Sequence, residues 1–534
     1  MSVVIAIDAG TTGVRAFAVD ERGTPRGWSY REFTQHFPQP GWVEHDAIEI
    51  WDAVQTTLQE LITVQLAPGT VVSAIGITNQ RETVVTWDRR SGAALHRAIV
   101  WQDRRTAQRC AQLEADGFLP TVRARTGLVL DPYFSGTKMA WVLREGGVSA
   151  GVDLHLGTID AWLLWNLTGG PSGGVHATDP SNASRTMLYD ITERRWSAEL
   201  CDTIGVPMAA LPDVLPSSGR FGVASAAVAG GCIAGVPIAG ILGDQQAALF
   251  GQACVEPGMA KNTYGTGSFV LLNVGATCPP PAEGLLTTVA WDLGANGGFA
   301  YALEGAVFVT GAAIQWLRDG LQIIRDAAEI GPLAASVEST DGVFVVPAFT
   351  GLGSPYWDPY ARGTIVGITR GVGRGHIARA VVESIAFQVR DVMTSMAAVS
   401  GTAVAELRVD GGASVMDLLL QLQADQLGVP VCRPVVAEST ALGAAFAAGL
   451  AEGVWSSTAE VLSSWQEAAR FEPTPGRIAP DRLYADWKRA VERSRGWASG
   501  PCRFSVGGGS RTSAPNFGVG SRRRWPSTGL RRRS

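Results

Sequence analysis

Apolar residues fill positions 3–7 of a strand expected over 3–8, and an alternating apolar pattern follows over 14–20. Together they predict a strand pair joined through Asp8-Ala9-Gly10-Thr11-Thr12-Gly13. A third strand is expected over 28–33. From 47 to 66 the apolar period lengthens to that of a helix. Ile48, Trp51, Val54, Leu58 and Leu61 share one face, and Asp46 is the expected N-cap. Strand character returns over 74–78, 84–87 and 98–101. The second half begins in the same manner, with a short strand at 259–263, the turn Tyr264-Gly265-Thr266-Gly267 and a return strand at 269–274. Beyond it the pattern predicts a helix over 311–324, a strand over 343–347 and a long helix over 376–399. A strand over 407–410 enters Gly411-Gly412, and helices are expected over 414–427 and 439–451. Strands and helices mixed in this way place the chain in the α/β class. Strand, Gly-Thr turn, strand thus occurs twice, at 5–20 and 260–274, without enough letter identity to count as a repeat.

At 534 residues the chain exceeds what one hydrophobic core supports. A loop-like stretch at 254–258 marks the expected boundary between domains 1–252 and 259–493. No apolar run approaches the roughly 20 residues of a membrane span, and the first residues lack a basic, cleavable leader. Seven cysteines, without Cys-x-x-Cys or zinc spacing, suit a reducing cytoplasm. The net charge of −5 hides an asymmetry. Residues 498–534 hold eight arginines and no acid, leaving 36 basic against 49 acidic residues elsewhere. The body is therefore not built for nucleic acid. The Gly-, Ser- and Pro-rich tail over 498–534 is expected to be disordered, and we read it as an unselected extension rather than an arm for an anionic partner.

Six segments carry candidate chemistry. In the first, Gly10 and Gly13 let backbone N–H groups gather into an anion nest, and Thr11 and Thr12 add hydroxyl donors. Asp8 suits Mg2+ beside phosphates, and Arg15 could steady a phosphate. An ordinary β-turn and a surface charge are the plain alternatives. Second, Thr78-Asn79-Gln80-Arg81-Glu82-Thr83 sets a donor fork beside an acceptor, a pairing that grips vicinal hydroxyls, against a plain surface salt bridge. Third, within Asp131-Pro132-Tyr133-Phe134-Ser135-Gly136-Thr137-Lys138, Tyr133 offers a hydroxyl on a rigid ring, or is a core tyrosine. Fourth, Asp244 ends an apolar run before Gln245 and Gln246, as a carboxylate base or as a helix N-cap. Fifth, Tyr264-Gly265-Thr266-Gly267-Ser268-Phe269 forms a second phosphate turn. Sixth, Val409-Asp410-Gly411-Gly412-Ala413-Ser414 permits close approach of an adenine or ribose. None of the six specifies a function alone.

Taken in order, the six segments closely resemble those of the glycerol kinases in the FGGY carbohydrate kinase family, from about residue 4 to residue 493. Both family signatures are present, at 133–141 and 363–383. The resemblance implies two actin- and hexokinase-like (ribonuclease H-like) domains with a nucleotide cleft between them, the first binding polyol and the second nucleotide. It implies phosphorylation of glycerol to sn-glycerol 3-phosphate with ATP and Mg2+, by a cytoplasmic dimer or tetramer. By the same resemblance Asp244 is the general base. Arg81, Glu82, Tyr133, Asp244 and Gln245 hold the glycerol hydroxyls, with Trp101 and Phe269 against its carbons. Thr11, Thr12, Gly13, Arg15, Thr266, Gly311, Gln315, Gly412 and Met416 face the nucleotide, and Asp8 and Asp244 lie near Mg2+.

This chain departs from the family at three places. The usual Asp-Gln-Gly-Thr-Thr-Ser-Ser turn reads Asp8-Ala9-Gly10-Thr11-Thr12-Gly13-Val14, so two hydroxyls beside the phosphates are missing. Met416 stands where the family has an adenine-side Asn. The loop that binds fructose 1,6-bisphosphate in bacterial relatives reads Gly230-Gly231-Cys232-Ile233-Ala234-Gly235-Val236, and without its Arg no such inhibition is expected. A kinase for another polyol or ketose is one alternative; Gly13, Val14 and Met416 also leave open a nucleotide-binding regulatory protein that has lost transfer.

Overall fold

A computed structural model describes residues 2–499, so nearly all of the basic tail expected over 498–534 lies outside the described residues. Strands β1 (Ser2–Ala9), β2 (Gly13–Val19), β3 (Pro25–Glu32), β4 (Val71–Asn79), β5 (Ser218–Val223) and β6 (Pro237–Gly243) form one sheet, ordered β5-β6-β4-β1-β2-β3. β1, β4 and β6 run parallel. Because side chains alternate along a strand, Val3, Ile5 and Ile7 enter one core with Ile50, Val54 and Leu58. Val4 and Ala6 enter a second core on the opposite face. Covered on both sides, β1 reads as a continuous apolar run.

A second sheet is formed by β7 (Met259–Tyr264), β8 (Ser268–Gly275), β9 (Leu286–Asp292), β10 (Phe299–Val307), β11 (Glu406–Gly411), β12 (Val431–Pro434) and β13 (Glu467–Phe471). Its order is β9-β10-β8-β7-β11-β12-β13. β7 pairs antiparallel with β8 and parallel with β11, as β1 pairs antiparallel with β2 and parallel with β4. The echo seen in the letters is therefore an echo of topology.

Helix α1 (Ala47–Glu60) starts where expected, with Asp46 accepting the Ile48 N–H at 2.8 Å. Its buried face is Ala47, Ile50, Ala53, Val54, Thr57 and Leu58, whereas Ile48 is exposed. The expected stripe was set by bulk, but the small Ala47 and Ala53 face inward. The helix also stops short, passing into a π turn at Leu61–Gln65. The helix expected over 311–324 covers only Gly311–Gln315 before a π turn at Trp316–Gly320. Gly320 is a poor helix former, and Gln322 takes a φ of +55°. The helix expected from 414 begins three residues later, after a 3-10 turn over Gly412–Val415.

The other helices used below are α2 (Ser135–Arg144), α3 (Asp244–Gly251), α4 (Arg374–Ser400), α5 (Asp417–Leu427) and α6 (Ser439–Ala451). α6 comes from late in the chain yet packs on the first sheet, with Ala444, Phe446 and Ala447 in the core that holds Val4 and Ala6. It meets α3 backbone to backbone. A Cβ on Gly251 would lie 1.9 Å from the Ser439 carbonyl oxygen, and one on Gly443 1.9 Å from that of Ala247. This crossing joins the two halves. Among the described residues no helix is long and apolar enough to cross a membrane.

Candidate active site

Asp8, Thr78 and Leu242 sit side by side in the register of β1, β4 and β6. The carboxyl ends of these parallel strands therefore deliver Asp8, the Gln80-Arg81-Glu82 segment and Asp244 to one place. Open α/β sheets hold ligands at such ends, where successive connections diverge and leave a crevice.

Arg81 is the centre of the cluster. Its Nε lies 3.1 Å from Asp244 Oδ1. Nη1 donates to Glu304 Oε2 at 2.6 Å and to Gln246 Oε1 at 3.1 Å. Nη2 donates to Glu304 Oε1 at 3.2 Å and to the Tyr133 hydroxyl at 3.4 Å. Glu82, at a φ of +62°, accepts from Arg185 Nε at 2.6 Å. Arg185 closes a square by donating to Glu304 Oε1 at 3.0 Å. All four members are 2% exposed or less, so the surface salt bridge considered for Arg81 and Glu82 is excluded. Burial would raise the Glu304 carboxyl, but Arg185 and Arg81 prevail and hold it at about 2. Burial raises Glu82 against the same two charges.

Asp244 opens α3, but Gly243 occupies the N-cap position, so capping does not explain the carboxylate. Burial pushes its pKa above the ordinary range, opposed by Arg81 and Lys261. A carboxylate so poised is suited to accept a proton. Gln245 Oε1 accepts from Lys261 Nζ at 2.5 Å, and Lys261 also donates to Thr263 Oγ1 at 3.1 Å. Burial pulls Lys261 down to about 8. Asp8 is pushed up to about 6 by burial, against Arg15 and with help from Asp244.

Tyr133 stands on a loop fastened from below. Lys138 Nζ, itself buried, donates to the carbonyls of Pro132, Tyr133 and Phe134 at 2.9, 2.6 and 2.9 Å. The Tyr133 ring meets Trp101 edge-on at 5.5 Å, and Trp101 Nε1 donates to Thr11 Oγ1 at 3.1 Å. Gln80 Nε2 donates to the Gly10 carbonyl at 3.1 Å. These contacts tie the Arg81 cluster to the first Gly-Thr turn.

Both turns close through backbone bonds, Gly10 N–H to Gly13 carbonyl at 3.0 Å and Gly265 N–H to Gly267 carbonyl at 2.8 Å. A Cβ on Gly13 would lie 2.5 Å from both the Tyr30 hydroxyl and the Arg31 carbonyl oxygen, so this turn has no room for the family's Ser. Thr12 Oγ1 lies 3.4 Å from that same Tyr30 hydroxyl. Arg15 pairs in register with Asp8 and reaches Glu438 at 3.7 Å. In the second half, Thr266 accepts from the N–H groups of Thr310 and Ala312 at 2.9 and 3.0 Å, and the Gly311 N–H donates to Gly265 at 3.0 Å. Gln315 ends that short helix exposed, Gly412 follows β11 exposed, and Met416 precedes α5, its Cγ 3.5 Å from where a Gly331 Cβ would be. Phe269 is half-buried in β8, opposite Thr263 and Ala306. The structure thus gathers Arg81, Glu82, Tyr133, Asp244 and Gln245 with Trp101 at their edge. Gln315, Gly412 and Met416 stand on separate elements of the second half.

Sequence reasoning missed Arg185, Glu304, Gln246 as an Arg81 partner, Lys261 and the loop-fastening role of Lys138. A signal was present for three of them. Glu304, Lys261 and Lys138 are each the only charge in 299–307, 259–264 and 133–141.

The FGGY family of carbohydrate kinases is matched by its N-terminal domain over residues 3–251 and by its C-terminal domain over 260–452. The chain belongs to the FGGY carbohydrate kinase family. This FGGY kinase is 54% identical to a glycerol kinase of Trichlorobacter lovleyi, over 93% of this chain and 100% of that one. It is 53% identical to a glycerol kinase of Symbiobacterium thermophilum, over 93% and 99%. Its fold superposes on Plasmodium falciparum glycerol kinase, crystallised with ADP, with a TM-score of 0.88 and 34% identity over 92% of this chain and 98% of that one.

Proposed function

We propose that this FGGY kinase phosphorylates glycerol with ATP, giving sn-glycerol 3-phosphate and ADP, with Asp244 as general base. The observation that carries the reading is the convergence of Asp244, Glu82 and Tyr133 on buried Arg81, whose Nε lies 3.1 Å from Asp244 and 3.8 Å from Glu82 and whose Nη2 donates to the Tyr133 hydroxyl at 3.4 Å. The similarity to glycerol kinases over nearly the whole chain supports the same substrate.

In this reading Arg81, Glu82, Tyr133 and Gln245 bind hydroxyls, and Trp101 and Phe269 face carbon. Lys261 can only donate, so Gln245 turns Oε1 toward it and leaves its amide N–H groups for a hydroxyl oxygen. One terminal hydroxyl is left at Asp244, which takes its proton as the oxygen attacks the γ-phosphorus. The bond from that phosphorus to the β,γ-bridging oxygen breaks and ADP leaves. Thr11, Thr12, Gly13 and Arg15 meet the nucleotide from one turn, and Thr266, Gly311, Gln315, Gly412 and Met416 from the second half. Most of the acceleration comes from positioning and charge, as in other phosphoryl transfers.

Among the described residues no group of three or more His, Cys, Asp or Glu side chains could hold a metal ion by itself. Asp8 and Asp244 nevertheless suit Mg2+, which takes one or two carboxylates and fills its shell with phosphate and water. The Asp244 charge helps burial raise the Asp8 carboxyl, a repulsion that a divalent cation would relieve. Bound there, Mg2+ would neutralise charge on the phosphates. Domains 1–252 and 259–493, closing on the ligands in a cytoplasmic dimer or tetramer, complete the proposal.

The test is ADP release in a coupled assay with glycerol present and absent, together with detection of glycerol 3-phosphate. Glycerol-dependent release is expected. A faster reaction with erythritol, xylulose or another polyol would reassign the substrate, and ATP binding without transfer would leave a binding protein.

A further inference from the structure

Glu304 is the only charged residue of β10 and is 1% exposed. It comes from the second half of the chain, yet both its oxygens are held by arginines of the first half. Arg81 Nη1 reaches Oε2 at 2.6 Å, while Arg81 Nη2 and Arg185 Nη2 reach Oε1 at 3.2 and 3.0 Å. A carboxylate that takes both Nη groups fixes the plane and reach of a guanidinium. Held in this way, Arg81 places its Nε 3.1 Å from Asp244 as an ion pair. Arg185, anchored on the same carboxylate, holds Glu82 through Nε at 2.6 Å. Two of the groups assigned to the polyol hydroxyls therefore depend on Glu304, Arg81 directly and Glu82 at one remove.

We propose that Glu304 is a positioning residue for the polyol site, through which the second half of the chain orients Arg81 and, by way of Arg185, Glu82. The proposal rests on the polyol kinase reading above. The square holds two charges of each sign. A neutral residue at 304 leaves two buried guanidiniums facing one carboxylate, and Arg81 then has Asp244 as its nearest remaining acid. The expected defect is specific. A pair that merely stabilises the core would lower stability without singling out one substrate. A positioning residue raises KM for the polyol and leaves the nucleotide alone.

Three variants test this by steady-state kinetics, each checked for folding by circular dichroism. Glu304→Gln keeps the shape and removes the charge, and should raise KM for glycerol roughly tenfold or more, as for a lost buried charge partner. Its KM for ATP should stay within about twofold. Glu304→Asp keeps the charge and should recover most of the glycerol KM. Glu304→Gln combined with Arg185→Gln keeps the square neutral, and its glycerol KM should remain raised because the anchor is still missing. Saturating glycerol should also raise Tm less in Glu304→Gln than in the wild type, a readout independent of turnover. An unchanged glycerol KM in folded Glu304→Gln, or equal rises for glycerol and ATP, overturns the proposal. Failure of all three variants to fold assigns the square to folding and overturns it too. A wild-type protein that neither binds nor phosphorylates glycerol overturns the underlying reading instead, before any variant is made.

Discussion

The two ends of the candidate site are built by opposite means. At the proposed polyol end, Arg81, Glu82, Arg185 and Glu304 are buried and hold one another through side-chain ion pairs. At the proposed nucleotide end, Thr12, Gln315 and Gly412 are exposed, and the turns close through backbone bonds. Charges in a dry site are unforgiving, because removing one leaves its partner buried and unpaired. Backbone turns are tolerant, because any residue that fits the conformation supplies the same N–H groups. The departures from the family at Gly13 and Met416 both fall at the proposed nucleotide end. Of the residues that match the polyol pattern, Arg81 and Glu82 are locked in the square, and Asp244 and Tyr133 touch it through Arg81.

That contrast can be broken by experiment. The largest effect should come from Asp244→Asn, which keeps ATP binding but lowers glycerol 3-phosphate formation by about two or more orders of magnitude, the usual scale for a lost base. Near-normal turnover would remove Asp244 from its role. Next, Arg81→Lys retains a positive charge but cannot take Glu304 with two nitrogens while reaching Asp244, so glycerol KM should rise roughly tenfold. An unchanged KM would show that charge alone suffices at this end.

Acid should act on both ends, with the same sign. Burial raises the pKa of Asp244, and only its deprotonated form accepts a proton, so kcat/KM should fall as pH drops through that raised pKa. Burial pushes the Asp8 carboxyl up to about 6, so at the proposed Mg2+ site a proton would compete below that pH. The Mg2+ concentration for half-maximal rate should therefore climb as pH falls past 6. A flat Mg2+ requirement across that range would take Asp8 out of the metal site.

The smallest effects belong to the nucleotide end. Met416→Asn should lower KM for ATP by no more than about threefold, the gain of one partly exposed hydrogen bond. A larger gain would mean that this end also depends on single side chains. Fructose 1,6-bisphosphate should leave the rate unchanged, since Val236 stands where the binding loop of bacterial relatives has Arg. A clear fall in rate would show a site with other ligands.

Much of this was legible beforehand. The strand pairs at both Gly-Thr turns, the Asp46 cap and the span of α6 follow from apolar period and local chemistry, and the structure has them. Where the structure departs from the sequence pattern, the reason is not local. Ile48 was expected inside by its bulk, but α1 turns small Ala47 and Ala53 inward, and only docking decides which of two overlapping stripes is covered. The helix from Gly311 was expected to run to 324, yet it ends in a π turn before the left-handed Gln322.

The sequence by itself determined the α/β class, the twofold strand–turn–strand plan and the identity of Arg81, Glu82, Tyr133 and Asp244 as candidates, because period and motif are written in neighbouring residues. Which charges meet was decided only in three dimensions. Arg81 and Glu304 stand 223 residues apart, and Arg185 and Glu82 stand 103 apart. Electrostatic pairing in a dry interior depends on distance through space, which no spacing along the chain can supply.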